Sequence, residues 1–265
     1  MYSPFTAAFK FVRYWLTSSN GRGHGIHSPF VYSFIRDVLM DKQHYKEYDK
    51  PEEYRHKLLK DGSALEILDL GAGSVSGNRK TRTIKNIART SAKHKRYASL
   101  LFRICNYYHY KNILELGTSL GVTTMYLGEV KDAKKILTLE GADGVADKAG
   151  TAFREYGYDK VKLVRGDFAD TLERSLDELG TVDLVFIDGN HRKEPTLGYF
   201  SKIITRIHNN SCIVFDDIHW SREMEDAWVE ICKDVRVTLS IDLHAIGLVF
   251  FKREILEKQH FSIRY

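Results

Sequence analysis

The stretch Asn112-Ile-Leu-Glu-Leu-Gly-Thr-Ser-Leu-Gly121 decides the fold of this 265-residue chain. Its first five residues form a short apolar run of the kind found in buried strands. Gly117 and Gly121 then allow the backbone to turn tightly before a helical pattern begins. A strand, a glycine turn and a helix in this order are typical of a parallel α/β sheet.

The same alternation of strand and helix continues toward the C terminus. Parallel strands joined by helices require right-handed crossovers, which predicts a doubly wound α/β sheet resembling a Rossmann fold. The predicted strands are 112–116, 135–139, 161–164, 182–187 and 211–215. The predicted helices are 121–130, 143–156, 168–178, 195–207 and 221–234. Two further runs, 235–241 and 245–251, are joined by three residues and predict an antiparallel hairpin.

The N-terminal part has a different character. Pro4, Pro29 and Pro51 mark three predicted helix starts, and a fourth helical pattern covers about 81–108. We therefore predict a helical, basic extension or lid over residues 1–96, followed by the α/β domain over 97–265.

Charge is divided unevenly along the chain. Residues 1–110 have a net charge of +10 and residues 111–265 a net charge of −5. No acidic residue lies between Asp69 and Glu115, whereas that interval holds ten lysines and arginines. This basic 79–111 stretch predicts either a solvated face, a surface that attracts an anionic substrate, or an RNA-binding surface.

Composition excludes several classes of protein. No apolar run reaches the ~20 residues that a membrane-spanning helix needs, and Lys10 and Arg13 interrupt the only N-terminal candidate for a signal peptide. The three cysteines are too far apart for a zinc motif or a dense disulfide framework. A reducing, cytoplasmic location is therefore expected.

Acidic residues and glycines follow every predicted strand. In an open parallel sheet, ligands bind beyond the carboxyl ends of the strands, so these residues are candidates for a shared site. They are Glu140 and Gly141 after the second strand, Gly166 and Asp167 after the third, Asp188 after the fourth, and Asp216 and Asp217 after the fifth.

With the glycine turn and the terminal hairpin, this pattern resembles the class I S-adenosylmethionine-dependent methyltransferases over residues 97–251. The resemblance implies a seven-stranded sheet whose last strand is antiparallel. It also implies that Glu140 binds the ribose hydroxyls and that Thr123 reaches the cofactor's carboxylate. The remaining cofactor-binding residues that it implies are Glu115, Gly117, Thr118, Ser119, Gly121, Gly141, Gly166, Asp167 and Asp188.

Val182-Asp-Leu-Val-Phe-Ile-Asp188 and Phe215-Asp-Asp217 resemble the metal-dependent O-methyltransferases, both catechol-type and macrolide-sugar-type. That resemblance implies a Mg²⁺ site at Asp188, Asp216 and Asp217, and a hydroxylated small molecule as acceptor. His191 stands where the catechol-type enzymes have a lysine, and an imidazole is a suitable base near neutral pH. The alternative is that Asp188 contacts cofactor while Asp216 or Asp217 caps the next helix.

Several other interpretations stay open at this stage. Glu66–Ser74 is a second strand followed by glycines, but no acid follows at the required distance, so we interpret Gly71–Ser74 as a turn. The chain could methylate RNA through the 79–111 stretch, bind the cofactor without catalysis, rest its first helix on a membrane, or form a homo-oligomer. His219 and Trp220 are candidates for the acceptor pocket, whereas Cys105, Trp228 and Cys232 are expected to be structural.

Overall fold

The computed structural model describes residues 1–19, 21, 27–68 and 79–265. Packing divides it into two compact units, one made of residues 1–42 and 183–265 and the other of residues 43–182. The boundary at residue 96, which was drawn from sequence pattern and charge, stays a prediction. The Gly71–Ser74 turn lies outside the described residues.

The unit made of residues 43–182 holds the first part of the α/β alternation. Its helices are α3 (Asp49–Lys60), α4 (Ile84–Ser91), α5 (Lys95–Tyr107), α6 (Val122–Gly128), α7 (Asp143–Glu155) and α8 (Phe168–Leu179). Its strands are β1 (Ala64–Leu68), β2 (Arg79–Thr83), β3 (Asn112–Leu116), β4 (Lys135–Glu140) and β5 (Val161–Arg165). β3, β4 and β5 pair in parallel, with Asn112 opposite Lys135 and Ile136 opposite Val161.

The other unit holds the later strands together with the N-terminal helices. Its helices are α1 (Pro4–Thr17), α2 (Pro29–Phe34) with a π-helical turn over Ile35–Leu39, α9 (Lys193–Ile203) and α10 (Arg222–Lys233). Its strands are β6 (Val182–Ile187, whose first residue belongs to the other unit), β7 (Ile207–Asp216), β8 (Leu239–Asp242), β9 (Ile246–Phe250) and β10 (Gln259–Ser262). The predicted antiparallel hairpin is confirmed as β8 and β9, and β9 also pairs antiparallel with β7.

The order of the strands is β10-β8-β9-β7-β6-β3-β4-β5. The predicted doubly wound α/β fold is confirmed, with eight strands in place of seven. The additional strand, β10, lies parallel to β8, with Gln259 opposite Leu239. Buried side chains such as Leu114 and Leu137 in one unit, and Phe215 and Phe250 in the other, form the core.

Two local predictions were wrong. Residues 81–83 were expected to be helical, but they belong to β2, which pairs antiparallel with β1 and places Thr83 opposite Ala64. The alternation of threonine and arginine is compatible with a strand, and pairing with β1 selects that form. The helix expected over 195–207 ends at Ile203, and Ile207 already begins β7.

Candidate active site

The loop after β3 has a tightly constrained backbone. Gly117, Ser119 and Gly121 have φ values of 105°, 48° and 84°, a region that glycine enters easily and other residues rarely enter. A side chain at Gly121 would also collide with the ring of Phe153, because a Cβ atom there would lie 2.7 Å from that ring. The two glycines noted in the sequence are therefore needed for the shape of this loop.

Glu140, at the end of β4, fixes the position of that loop. Its Oε2 accepts a hydrogen bond from the Ser119 N–H at 2.8 Å, and its Oε1 accepts one from the Ala142 N–H at 2.8 Å. Burial raises the pKa of Glu140, and the backbone N–H groups of Ala142, Ser119 and Gly141 oppose that effect. Each carboxylate oxygen has a second lone pair, so this acid keeps the capacity to accept hydrogen bonds from a ligand diol.

Glu115 lies beneath the loop and is completely buried. Its Oε2 accepts hydrogen bonds from the hydroxyls of Thr124 and Thr138, while its Oε1 is buried without a hydrogen-bond partner. Burial raises the pKa of Glu115 to about 7, although the two threonine hydroxyls act in the opposite direction. Thr118 joins the same group through a 2.5 Å hydrogen bond with Thr138. Glu115 is therefore positioned to support the loop from inside the protein.

The other predicted cofactor-binding residues of this unit lie at the ends of neighbouring elements. Thr123 is buried in the first turn of α6. Gly166 has a φ of 123° and donates its N–H to the Glu140 carbonyl at 3.0 Å. Asp167 caps α8, where its Oδ1 accepts a hydrogen bond from the Ala169 N–H at 2.7 Å. Their contacts with a cofactor stay a prediction.

In the other unit, the ends of β6 and β7 bring three candidate ligands together. Asp188, His191 and Asp216 each have one ligand atom within 4.8 Å of the others. His191 Nε2 and Asp188 Oδ1 are 3.7 Å apart. Asp216 is the last residue of β7 and is buried. Two carboxylates and an imidazole at these distances are suited to a divalent cation or to moving a proton.

Asp217, the third predicted metal ligand, does not belong to this group. Its φ is 51°, its N–H donates to the Ala245 carbonyl at 2.7 Å, and its carbonyl accepts from the Trp220 N–H. The cap of α10 is Ser221, whose hydroxyl accepts from the Met224 N–H. Neither Asp216 nor Asp217 therefore caps α10, contrary to the alternative drawn from the sequence.

His219, which the sequence assigned only to the acceptor pocket, belongs to a half-buried polar network. His219 lies between two carboxylates, with Nδ1 3.0 Å from Glu225 Oε1 and Nε2 2.7 Å from Asp242 Oδ2. The ring of His219 stacks on that of His244, with centroids 5.3 Å apart. No spacing rule joins these residues, because they come from a loop, a helix and two ends of a hairpin. Asp242 ends β8, and His244 lies in the link between β8 and β9.

Trp220 lies near His191, with ring centroids 5.7 Å apart. Trp228 is buried, as expected from the apolar stripe of its helix, and Cys105 is fully buried. Cys232 is half-buried, and its thiol is not in a disulfide.

Residues 114–218 match the model of a family described as a methyltransferase domain. The interval covers β3 to the end of β7, which contains both the glycine loop and the Asp188–His191–Asp216 cluster. The resemblance to the class I methyltransferases is thereby confirmed over these residues.

Two curated proteins and one solved structure extend the comparison. An uncharacterized protein of Acanthamoeba polyphaga mimivirus is 24% identical over 132 residues, which cover 46% of this chain and 60% of that protein. The O-methyltransferase hkm8 of Aspergillus hancockii is 36% identical over 81 residues, which cover 29% of this chain and 31% of that protein. This chain thus spans less than two thirds of either relative.

The methyltransferase PaMTH1 of Podospora anserina, solved with S-adenosylhomocysteine bound, superposes on this chain with a TM-score of 0.57 at 17% sequence identity. The superposition covers 95% of this chain and 97% of that one, which shows a shared fold.

Proposed function

We propose that this chain, in which residues 114–218 match a methyltransferase domain, transfers a methyl group from S-adenosylmethionine to a hydroxyl oxygen of a small molecule. The observation that carries the proposal is the convergence of Asp188, His191 and Asp216 within 4.8 Å at the ends of β6 and β7. A hydroxyl is a weak nucleophile until its proton is removed or its oxygen is polarised, and this cluster offers groups for both tasks. The O-methyltransferase among the matching relatives supports the same choice of acceptor atom.

The residues assigned to the cofactor are those of the loops after β3, β4 and β5. S-adenosylmethionine, when bound, supplies an electrophilic methyl group on sulfur. Glu140, held by the Ser119 and Ala142 amides, is the acceptor for the ribose hydroxyls. The strained turn from Gly117 to Gly121 lets backbone approach the methionine part without side-chain interference. Holding the two reactants in line is the main contribution that the protein makes to such a transfer.

The cluster also fits a divalent cation, for which we propose Mg²⁺. Two carboxylates and an imidazole lie close enough to share one ion, and carboxylate oxygens are the donors that Mg²⁺ prefers. A bound cation would orient the acceptor hydroxyl and lower its pKa. Because imidazole suits Zn²⁺ and Ni²⁺, whereas carboxylates suit both Mg²⁺ and Mn²⁺, tight binding of Zn²⁺ or Ni²⁺ would indicate that His191 is a ligand.

His191 is proposed as the general base when it does not bind the ion. Its Nε2 faces the Asp188 carboxylate at 3.7 Å, which would stabilise the imidazolium formed after proton transfer. Trp220, whose ring lies 5.7 Å from that of His191, is proposed to line the acceptor pocket.

The basic stretch supports an RNA acceptor less well than a small molecule. Two of its aromatic residues, Phe102 and Tyr110, are buried and are not available for stacking on bases, whereas Tyr107 is exposed. Arg103 is also buried and donates to the Ser99 hydroxyl. Exposed cations of this stretch, such as Arg89 on α4, would attract an anionic small acceptor equally well.

We propose the cytoplasm as the place of the reaction. None of the three cysteines, Cys105, Cys212 and Cys232, forms a disulfide, a state that a reducing compartment maintains. No helix in the described ranges is both long and apolar enough to span a bilayer.

The proposal is tested by transfer of a labelled methyl group from S-adenosylmethionine to a panel of hydroxylated small molecules, with Mg²⁺, with Mn²⁺ and with EDTA. We expect metal-stimulated transfer that Asp188→Asn reduces by about a hundredfold or more, and that the exposed control Asp226→Asn leaves unchanged. Transfer at the full rate in EDTA would show that the reaction does not need a metal ion. Cofactor binding without transfer to any hydroxylated acceptor or RNA would support a non-catalytic module.

A further inference from the structure

The outer face of α1 carries an apolar stripe that faces solvent. Phe5, Phe9, Val12 and Leu16 recur at intervals of four, three and four residues, which places them on one side of the helix. Their exposed fractions are 84%, 65%, 54% and 73%. A surface helix normally turns its polar side to water, so this arrangement is reversed. A contiguous apolar patch of this kind marks an interaction surface.

The opposite face of α1 is already held by its own unit. Tyr14 is buried, donates its hydroxyl to the Ile263 carbonyl and stacks on His244 with ring centroids 4.9 Å apart. Lys10 forms an ion pair with Glu225, with Nζ 2.8 Å from Oε2. Rotating α1 to bury the stripe would break these contacts. Within the described residues, the stripe is therefore open to an external occupant.

The charge around the stripe is positive. α1 contains no acidic residue, and the cations beside the stripe are Arg13 and Arg264, since Lys10 is paired with Glu225. Arg13 is exposed on α1, and the Arg264 guanidinium lies 5.2 Å from the ring centroid of Trp15. A half-exposed tryptophan and basic side chains beside an apolar stripe are the composition of helices that lie in the interface of anionic membranes.

We propose that α1 docks on an anionic lipid surface, with the Phe5–Phe9–Val12–Leu16 stripe in the interface and the catalytic unit on the aqueous side. The 14-residue helix is about 21 Å long at 1.5 Å per residue, too short to cross a bilayer but sufficient to lie in its surface. A second copy is a poorer occupant, because α1 contains no acidic residue to pair with Arg13 of a partner. Two packed helices also bury only a narrow strip of each other's surface, whereas a bilayer can bury the whole stripe.

The test is co-sedimentation with phosphatidylcholine vesicles that contain about 30% phosphatidylserine, compared with pure phosphatidylcholine vesicles. We expect binding to the anionic vesicles, a blue shift of tryptophan fluorescence, and loss of binding in about 0.5 M salt. The variant Phe5→Ser/Phe9→Ser/Leu16→Ser should bind about tenfold more weakly or worse. Because those side chains are exposed, the thermal midpoint of the triple variant should stay close to that of the original protein. The single variant Phe9→Ser makes the same test with a smaller change.

The matched control is Val235→Ser/Leu256→Ser, which removes two other highly exposed apolar side chains of the same unit and should bind vesicles normally. Equal vesicle binding by the triple variant and the original protein would overturn the proposal, as would failure of the original protein to bind anionic vesicles. A dimer in lipid-free solution that the triple variant dissociates would assign the stripe to a second copy instead. None of these outcomes depends on methyl transfer.

Discussion

At the scale of single residues, Glu115 makes the stability of the protein depend on pH. Its pKa is raised to about 7, chiefly by burial. The folded state therefore binds a proton more tightly than the unfolded state does, and stability falls as pH rises from the ordinary pKa of a glutamate through about 7. With each pKa unit equivalent to about 1.4 kcal/mol, the loss is about 3 kcal/mol.

The variant Glu115→Gln cannot ionise and should lack this dependence. We expect its free energy of unfolding in urea to change much less than that of the original protein between about pH 5 and about pH 8. The same decline with pH in both proteins would show that Glu115 ionises freely in the folded state.

Glu140 is the residue on which cofactor binding should depend most. In Glu140→Gln, one carboxylate oxygen becomes an NH₂ group that faces a backbone N–H of Ser119 or Ala142. A donor then opposes a donor, and the acceptor for a ribose diol is weakened. We expect the Kd for S-adenosylhomocysteine to rise about tenfold or more. The exposed control Glu257→Gln should keep the original Kd, and an unchanged Kd in Glu140→Gln would remove this residue from the cofactor site.

The sequence identified the correct strand ends but not the direction of each side chain. Asp188 and Asp216 were predicted from their positions after β6 and β7, and they do lie together. Asp216 and Asp217 are neighbours in the chain, yet the positive φ of Asp217 turns its backbone toward Ala245. This orientation of Asp217 depends on the hydrogen bond to Ala245, in the loop between β8 and β9. No local sequence pattern reveals that contact.

At the scale of elements, the turn into α6 depends on the absence of a side chain at Gly121. Gly121→Ala would combine a positive φ with a Cβ atom 2.7 Å from the Phe153 ring, and we expect a loss of about 2–4 kcal/mol in the free energy of unfolding. Gly157 has a similar φ of 73° but open space around it. Gly157→Ala should therefore cost only about 1 kcal/mol. Equal losses would show that backbone strain alone matters at Gly121.

The contacts of His219 with α10 and β8 should lose stability as pH rises. Burial lowers the pKa of His219, but the carboxylates of Asp242 and Glu225 outweigh that effect and raise it overall. Lys10 and Tyr2 bind Glu225 from the N-terminal side, and the stacked His244 has a lowered pKa. A raised histidine pKa contributes stability below its unfolded value and loses it as pH passes the folded value.

Hydrogen exchange measures this effect. After correction for intrinsic rates, amides of α10 and β8 should exchange faster at about pH 8 than at about pH 6. His219→Gln should remove most of the difference. A difference that persists in this variant would assign the pH effect to another group.

The elements that were predicted well have strong internal patterns. β3 and β6 were located at their observed ends, because each is an apolar run bounded by turn residues. β2 was missed because Arg79–Thr83 has no apolar run, and its strand form depends on pairing with β1. β10 has only four residues, and its parallel partner β8 lies about twenty residues earlier in the chain. Both strands therefore form because of their pairing with another strand, β2 with β1 and β10 with β8.

At the scale of the whole molecule, cofactor binding and activation of the acceptor hydroxyl are assigned to different units. The glycine loop, Glu140 and Asp167 belong to residues 43–182, whereas His191 and Asp216 belong to the other unit. Substitution of Asp216 should therefore reduce methyl transfer while leaving cofactor affinity nearly unchanged.

The most direct measurement is a calorimetric titration of S-adenosylhomocysteine into the original protein and into Asp216→Asn, with Mg²⁺ and with EDTA. We expect binding to one site with a Kd in the micromolar range, about the same in both proteins and in both buffers. Absence of binding to the original protein in either buffer would contradict the methyltransferase proposal, and the loop over 117–121 would then be a structural turn alone.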